Sequence, residues 1–148
     1  MKPFINQAIN LAKKAAEQNE FPVGALVVKD GSILGEGYNQ KESLNDPTAH
    51  AEILAIQAAA KLTGDWRLVG ATLVTTLEPC PMCLGASLQA RIKTIIYLAK
   101  DHRWGACGSI MDFSKHSELN HHCDLVYLPN QDVVDMMTGF FKSIGKRS

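Results

Sequence analysis

Short apolar segments alternating with helical ones constrain this chain more than any other feature of its sequence. Phe4, Ile5, Ala8, Ile9, Ala12 and Ala15 recur at the spacing of one helix face, which predicts an amphipathic helix over residues 2–18. "VGALVVKDGSILGEGYN" follows as two apolar runs around Asp30–Gly31, a dipeptide suited to a tight hairpin turn. Asp46 and Pro47 read as the N-cap and first-turn residues of a second helix that stops before Gly64. "ATLVTTL" has the β-branched content of a buried strand, and "CPMCLGASLQAR" reads as a helix with Pro81 in its first turn. "TIIYLA" and "CDLVYLP" are two more strands, and "NQDVVDMMTGFFKSIGK" closes the chain as a helix. The order α-β-β-α-β-α-β-β-α predicts an α/β fold in three layers, α/β/α, with a mixed five-stranded sheet covered on both faces.

At 148 residues the chain has the length of one domain, 1–148, able to bury roughly two-thirds of its unfolded surface. Such a core does not depend on disulfides, although Cys80, Cys83, Cys107 and Cys123 could form two bridges in a secreted protein. Lys13 and Lys14 interrupt what would be the apolar core of a signal peptide, and no stretch is long enough to cross a membrane. A cytoplasmic protein with reduced thiols is expected, in which a close cysteine pair points to metal binding or catalysis. The formal net charge of zero leaves only a local basic footprint for any anionic partner.

"TAHAEILA" places His50 and Glu52 two residues apart among small and aliphatic neighbours. On a regular helix such positions diverge by about 200°, so one side chain must face a costly environment and needs a partner there. "EPCPMC" supplies it. Cys80 stands at or beside an N-cap and Cys83 three residues on, so both sulfurs lie on one side of a first helical turn. The positive end of the helix favours thiolates there, and two thiolates with one imidazole are a zinc donor set. Three protein ligands leave a position open for water, as catalytic zinc sites do, and Glu52 beside that water is placed to act as general base. The pieces also have plainer readings. His50 and Glu52 could be a satisfied core histidine and an exposed glutamate, and a lone C-x-x-C could be a redox pair or half a zinc ribbon, though no second C-x-x-C completes a ribbon. Cys107 or Cys123 could close the site as a fourth ligand, or could simply be small core residues.

The joint pattern H-A-E followed by P-C-x-x-C is the signature of zinc-dependent nucleobase and nucleoside deaminases. The chain resembles in particular the bacterial tRNA adenosine deaminases, which convert the wobble adenosine of an anticodon to inosine. The resemblance runs through "PVGALVVKDG", "GEGYN", "DPTAHAEILA", "GATLVTTLEPCPMC", "ARI", "GACGS", "LNHHCDLV" and "FFK". It implies a cytidine deaminase-like fold, one Zn2+ per chain held by His50, Cys80 and Cys83, and Glu52 as the proton shuttle. It also implies that Asn39 contacts the flipped nucleotide, that Asp101, His102 and Arg103 lie near the entering RNA, and that Asn120 belongs to the substrate pocket. The implied substrate is the tRNA anticodon loop, and the implied assembly is a homodimer whose partner subunit borders the pocket.

Asn39 could equally be a turn residue, and the 101–103 stretch a solvated charged loop. His121 and His122 are adjacent and do not face one another on a regular element, so they read as turn or edge residues. Phe140 and Phe141 are expected to anchor the last helix in the core. The run of arginines usual after them in the family is replaced by "KSIGKRS", leaving Lys142, Lys146 and Arg147 as a thinner basic patch. A deaminase of a free base such as guanine or cytosine is the alternative within the superfamily, and a binding module with structural zinc the alternative outside enzymes.

Overall fold

The computed structural model describes the backbone of residues 1–147 and the side chains of residues 1–144, so the side chains of Lys146 and Arg147 lie outside the described residues. The chain runs α1 (Lys2–Glu17), β1 (Gly24–Lys29), β2 (Ser32–Tyr38), α2 (Ala51–Thr63), β3 (Thr72–Thr75), α3 (Pro81–Gln89), β4 (Thr94–Tyr97), β5 (Asp124–Tyr127) and α4 (Gln131–Arg147), the predicted order. The five strands form one mixed sheet in the order β2-β1-β3-β4-β5. β1 is antiparallel to β2 and β3, and β3, β4 and β5 are parallel. Asp30 and Gly31 have φ of 51° and 78°, the backbone a two-residue hairpin needs to follow the twist of its strands.

Alternation along the strands sorts the layers. Ala25, Val27, Leu73 and Ile95 pack on one face with Ala51, Ala55 and Ala59 of α2 and Leu84 and Leu88 of α3. Leu26, Val28 and Val74 point to the other face, against Ala8 and Leu11 of α1, and Ile96 meets Val133 of α4. Fully buried side chains such as Leu26, Leu73 and Ile95 each contribute on the order of 2 kcal/mol by leaving water.

The start of α2 differs from the expectation. Asp46 Oδ1 accepts hydrogen bonds from the Thr48 N–H at 2.8 Å and the Thr48 hydroxyl at 2.7 Å, closing a local turn in place of a helix. The backbone remains extended as far as His50, which is the N-cap at φ −76° and ψ 151°. His50 therefore stands ahead of the helix and Glu52 in its first turn, so the divergence expected within a regular helix does not apply, and both side chains line one cavity.

Two glycines set how closely α2 approaches the sheet. A Cβ on Gly35 would collide with the carbonyl of Ala55, and one on Gly37 with the carbonyl of Ala51, so the helix backbone lies directly on β2. Any larger residue at either position would lift the turn that carries His50 and Glu52. At the other end Gly64, with φ 70°, caps α2 as expected.

Candidate active site

The site lies at the carboxyl ends of the parallel strands β3 and β4, where open α/β sheets leave a crevice. His50 and Cys80 are the N-caps of α2 and α3, both with extended backbone, so two helix amino termini converge on one point. His50 Nδ1 is 3.6 Å from Cys80 Sγ and 3.4 Å from Cys83 Sγ. These separations are those of ligands that share an ion at roughly 2.0–2.3 Å with tetrahedral angles. The three donor atoms all lie within 4.8 Å of one another, and among the described residues this is the one group of its kind. Cys107 and Cys123 belong to the apolar core under α2 and α3 and do not join it. The donor set fits zinc, with three protein ligands.

The donors share their protons unequally. The Cys83 thiol hydrogen-bonds to Cys80 and, opposed by burial, brings the Cys80 thiol down to about 4, with His50 acting in the same direction. Cys83 moves upward as the donor of that pair, further raised by burial and by Glu52. The hydrogen bond with Cys80 raises His50. Glu52, only 4% exposed, is pushed up to about 7, chiefly by burial. A carboxyl group poised near neutrality can both take and return a proton.

Around this floor opens a cavity of about 830 Å³. Its rim comes from segments distant in sequence: Phe21, Asn39 and Lys41 on one side, Lys100 to Trp104 on another, and Met137, Phe140, Phe141 and Ile144 of α4. Asn39 lines the cavity and also serves its own turn, since its Nδ2 donates to the Phe21 carbonyl at 3.3 Å and its Oδ1 accepts from the Lys41 N–H at 3.1 Å. Asp101 and Arg103 are likewise brought to the rim. The Asp101 carboxylate accepts the N–H groups of Arg103 and Trp104 at 3.0 and 3.1 Å, which shapes the loop.

Several side chains fall elsewhere than expected. Asn120 does not line this cavity; it borders a separate small hollow with Leu88, Arg91 and His121. Phe141 does not anchor α4 in the core. It is 51% exposed, lines the cavity with Phe140, sits 5.2 Å from the Phe21 ring and lies under the Arg103 guanidinium at 5.8 Å. Lys142 is exposed and outside the cavity lining. His121 and His122 stay apart, donating to the Ile92 and His116 carbonyls at 2.8 and 2.9 Å. Six rim residues were not singled out from the sequence: Phe21, Lys41, Lys100, the 67%-exposed Trp104, Met137 and Ile144. Only Lys100 and Trp104 carried a signal, as flanks of the 101–103 stretch.

Comparison with known proteins agrees with this geometry. Residues 1–99 match the family model described as cytidine and deoxycytidylate deaminase zinc-binding region. The tRNA-specific adenosine deaminase of Bacillus subtilis (strain 168) is 38% identical over 145 residues, 97% of this chain and 90% of that protein. A solved structure from work on A-to-I editing by tRNA:A34 deaminases at the wobble position of transfer RNA superposes with a TM-score of 0.82 at 40% identity, covering 85% of this chain and 97% of that one. The guanine deaminase of Bacillus subtilis superposes less well, with a TM-score of 0.65 at 32% identity over 95% of this chain and 93% of that one. The chain belongs to the cytidine and deoxycytidylate deaminase zinc-binding family and, within it, to the tRNA-specific adenosine deaminases.

Proposed function

We propose that residues 1–148 act as a zinc-dependent hydrolase domain that converts the wobble adenosine of tRNA to inosine. The observation that carries this reading is a three-ligand donor set beside a buried carboxylate, at the floor of a cavity whose rim is cationic and aromatic. His50, Cys80 and Cys83 would hold the zinc, which when bound supplies a Lewis acid that lowers the pKa of a water.

Glu52 takes a proton from that water at its carboxylate and delivers it to N1 of adenine as the oxygen adds at C6. It then takes the proton of the C6 hydroxyl and passes it to the departing amine, so that C–N cleavage releases ammonia and C6 becomes the carbonyl of the inosine base. One carboxylate serves as base and then as acid. Burial at the cavity floor keeps bulk water from competing for these protons.

An adenine inside a stack cannot reach this floor, so the nucleotide must be splayed out, as it can be in an anticodon loop. Lys41, Lys100 and Arg103 are placed to meet phosphates, and Phe21, Trp104, Phe140 and Phe141 offer ring faces to the bases. Asn39 and Asp101 are the polar groups we assign to the substrate side. A free base such as guanine or cytosine would have no use for such a rim. A binding module with structural zinc would need a fourth protein ligand, and among the described residues none joins the group.

The assembly we infer is a homodimer. Ile110 and Met111, exposed at 54% and 45% just beyond the 101–109 loop, are apolar surface that a second copy would cover. The compartment we infer is the cytoplasm, where four free cysteines stay reduced; among the described residues no helix is long and apolar enough to cross a membrane. Sedimentation at micromolar concentration should give twice the 16.2 kDa chain mass, and a monomer would refute the dimer.

The functional test is product identity. Incubation with a tRNA carrying adenine at the wobble position should yield inosine at that position, while free adenine, guanine and cytosine release no appreciable ammonia. Turnover of guanine or cytosine with inert tRNA would replace this reading with the free-base one.

A further inference from the structure

Glu78 is 2% exposed and has no part in the chemistry described above, yet it is the most heavily bonded carboxylate near the site. Its Oε1 accepts the Asp101 N–H at 3.1 Å and the Ser109 hydroxyl, and its Oε2 accepts the N–H groups of Cys107 and Ser109 at 2.9 and 3.1 Å. A carboxylate has about four lone-pair sites, so this one has nothing left to offer a substrate. All four donors belong to the 101–109 loop.

The position of Glu78 in the chain gives the arrangement its meaning. It stands two residues before Cys80, in the turn between β3 and α3 that sets the metal donors. Its own N–H donates to the Ala99 carbonyl at 2.8 Å, and the Ala106 N–H donates to the Pro79 carbonyl at 2.8 Å. On the loop side, Asp101 passes the constraint on through its bonds to Arg103 and Trp104. Gly105 lets the loop close over the carboxylate, because a Cβ there would collide with the Glu78 carboxyl group and the Asp101 carbonyl. Glu78 thus links, through two hydrogen-bonded steps, the segment that holds the metal donors to the loop that carries the rim.

We propose that Glu78 is a positioning residue for RNA binding, ordering the Arg103–Trp104 segment in register with the cavity floor before the substrate arrives. The proposal rests on the reading of this site as a tRNA deaminase. Ordering a loop in advance removes a cost otherwise met on binding, so the effect belongs in affinity and not in the chemical step.

Glu78→Gln keeps the shape and breaks the pattern. Its NH2 must face either the Asp101 N–H or the N–H groups of Cys107 and Ser109, leaving at least one buried donor opposed by another. We expect the half-saturating tRNA concentration in single-turnover deamination to rise roughly tenfold, with the rate at saturation within about threefold of the unaltered enzyme and zinc retained. Because Glu78 acts through the loop, Glu78→Gln should add little to Arg103→Ala in a double-mutant cycle, whereas independent sites multiply. An unchanged half-saturating concentration, additivity with Arg103→Ala, or a loss confined to the saturated rate would each overturn the proposal. Should Glu78→Gln fail to fold or to hold zinc, the same cycle with Gly105→Ala decides it, coupling with Arg103 supporting the role and additivity overturning it. An unaltered enzyme that makes no inosine in tRNA would instead overturn the functional reading, whatever Glu78 does.

Discussion

The floor and the rim of the cavity are built by different rules. Two local motifs, each at a helix amino terminus, make the floor, and its side chains are half-buried or buried and bonded to one another. The rim is assembled from segments near residues 21, 39–41, 100–104 and 137–144, several of its side chains are exposed, and its 101–104 segment is tied to the buried Glu78 carboxylate through the Asp101 N–H. On the proposed function, chemistry and substrate choice are separable here: the floor would carry out the deamination and the rim would select the nucleotide that reaches it.

The largest effect that could break this division is loss of the metal. Cys80→Ala or Cys83→Ala should abolish stoichiometric zinc, reduce inosine formation to background and lower the melting temperature, because ligand binding to the folded state is itself stability. A chelator should lower the melting temperature of the unaltered protein and leave that of Cys80→Ala in place. Full zinc occupancy in either variant would show that the floor is not the site.

A smaller effect is expected at the rim. Arg103→Ala should weaken tRNA binding about tenfold, roughly 1.4 kcal/mol, with zinc and the saturated rate kept. Removing the charge that meets one single-strand phosphate should also flatten the dependence of log affinity on log salt by about 0.7. A fall in the saturated rate with unchanged affinity would place Arg103 in the chemistry and erase the distinction. Phe141→Ala should cost about 1–3 kcal/mol of tRNA affinity if its ring carries a base, and nearly nothing if Phe141 only covers Phe21.

An effect on stability alone is expected behind the opposite rim. Glu20 is buried and accepts the N–H groups of Glu42 and Ser43 and the Ser43 hydroxyl, holding the chain that follows Lys41. Burial pushes its carboxyl up, but these hydrogen bonds outweigh it and leave the group below its usual value of 4.5. A depressed carboxyl contributes stability that is present above the unfolded value and lost as pH falls through the folded one. Glu20→Gln should therefore cost about 1–3 kcal/mol in denaturant titrations near neutrality and make stability less sensitive to pH below 4.5. An unchanged acid dependence would contradict that role.

Legibility follows the same line. The strand and helix order could be read because its signals are periodic and local, and Asp30–Gly31 and Gly64 met their expected backbones. The metal donors could be read because His50 and the Cys80–Cys83 pair each carry their spacing in a few residues. The start of α2 could not, because the Asp46 side chain satisfies Thr48 locally and outcompetes helix initiation. Glu78 was invisible as a clamp, since its partners lie 23 to 31 residues further along. Phe141 misled because adjacent phenylalanines suggest burial, whereas α4 ends beside the cavity and leaves one ring at its mouth. Interactions made by folding distant segments together leave no local trace.

The most direct measurement is made on Glu52→Ala, with zinc content, tRNA binding and inosine formation read from one preparation. The three donor atoms of the metal group are untouched by this change. Glu52→Ala should hold about one zinc per chain, bind tRNA with an affinity close to that of the unaltered protein, and show a single-turnover rate lower by at least roughly 10³ to 10⁴, since one carboxylate serves successive proton transfers. Near-normal inosine formation would contradict the assignment of Glu52, and loss of zinc would place its carboxylate among the metal's own ligands.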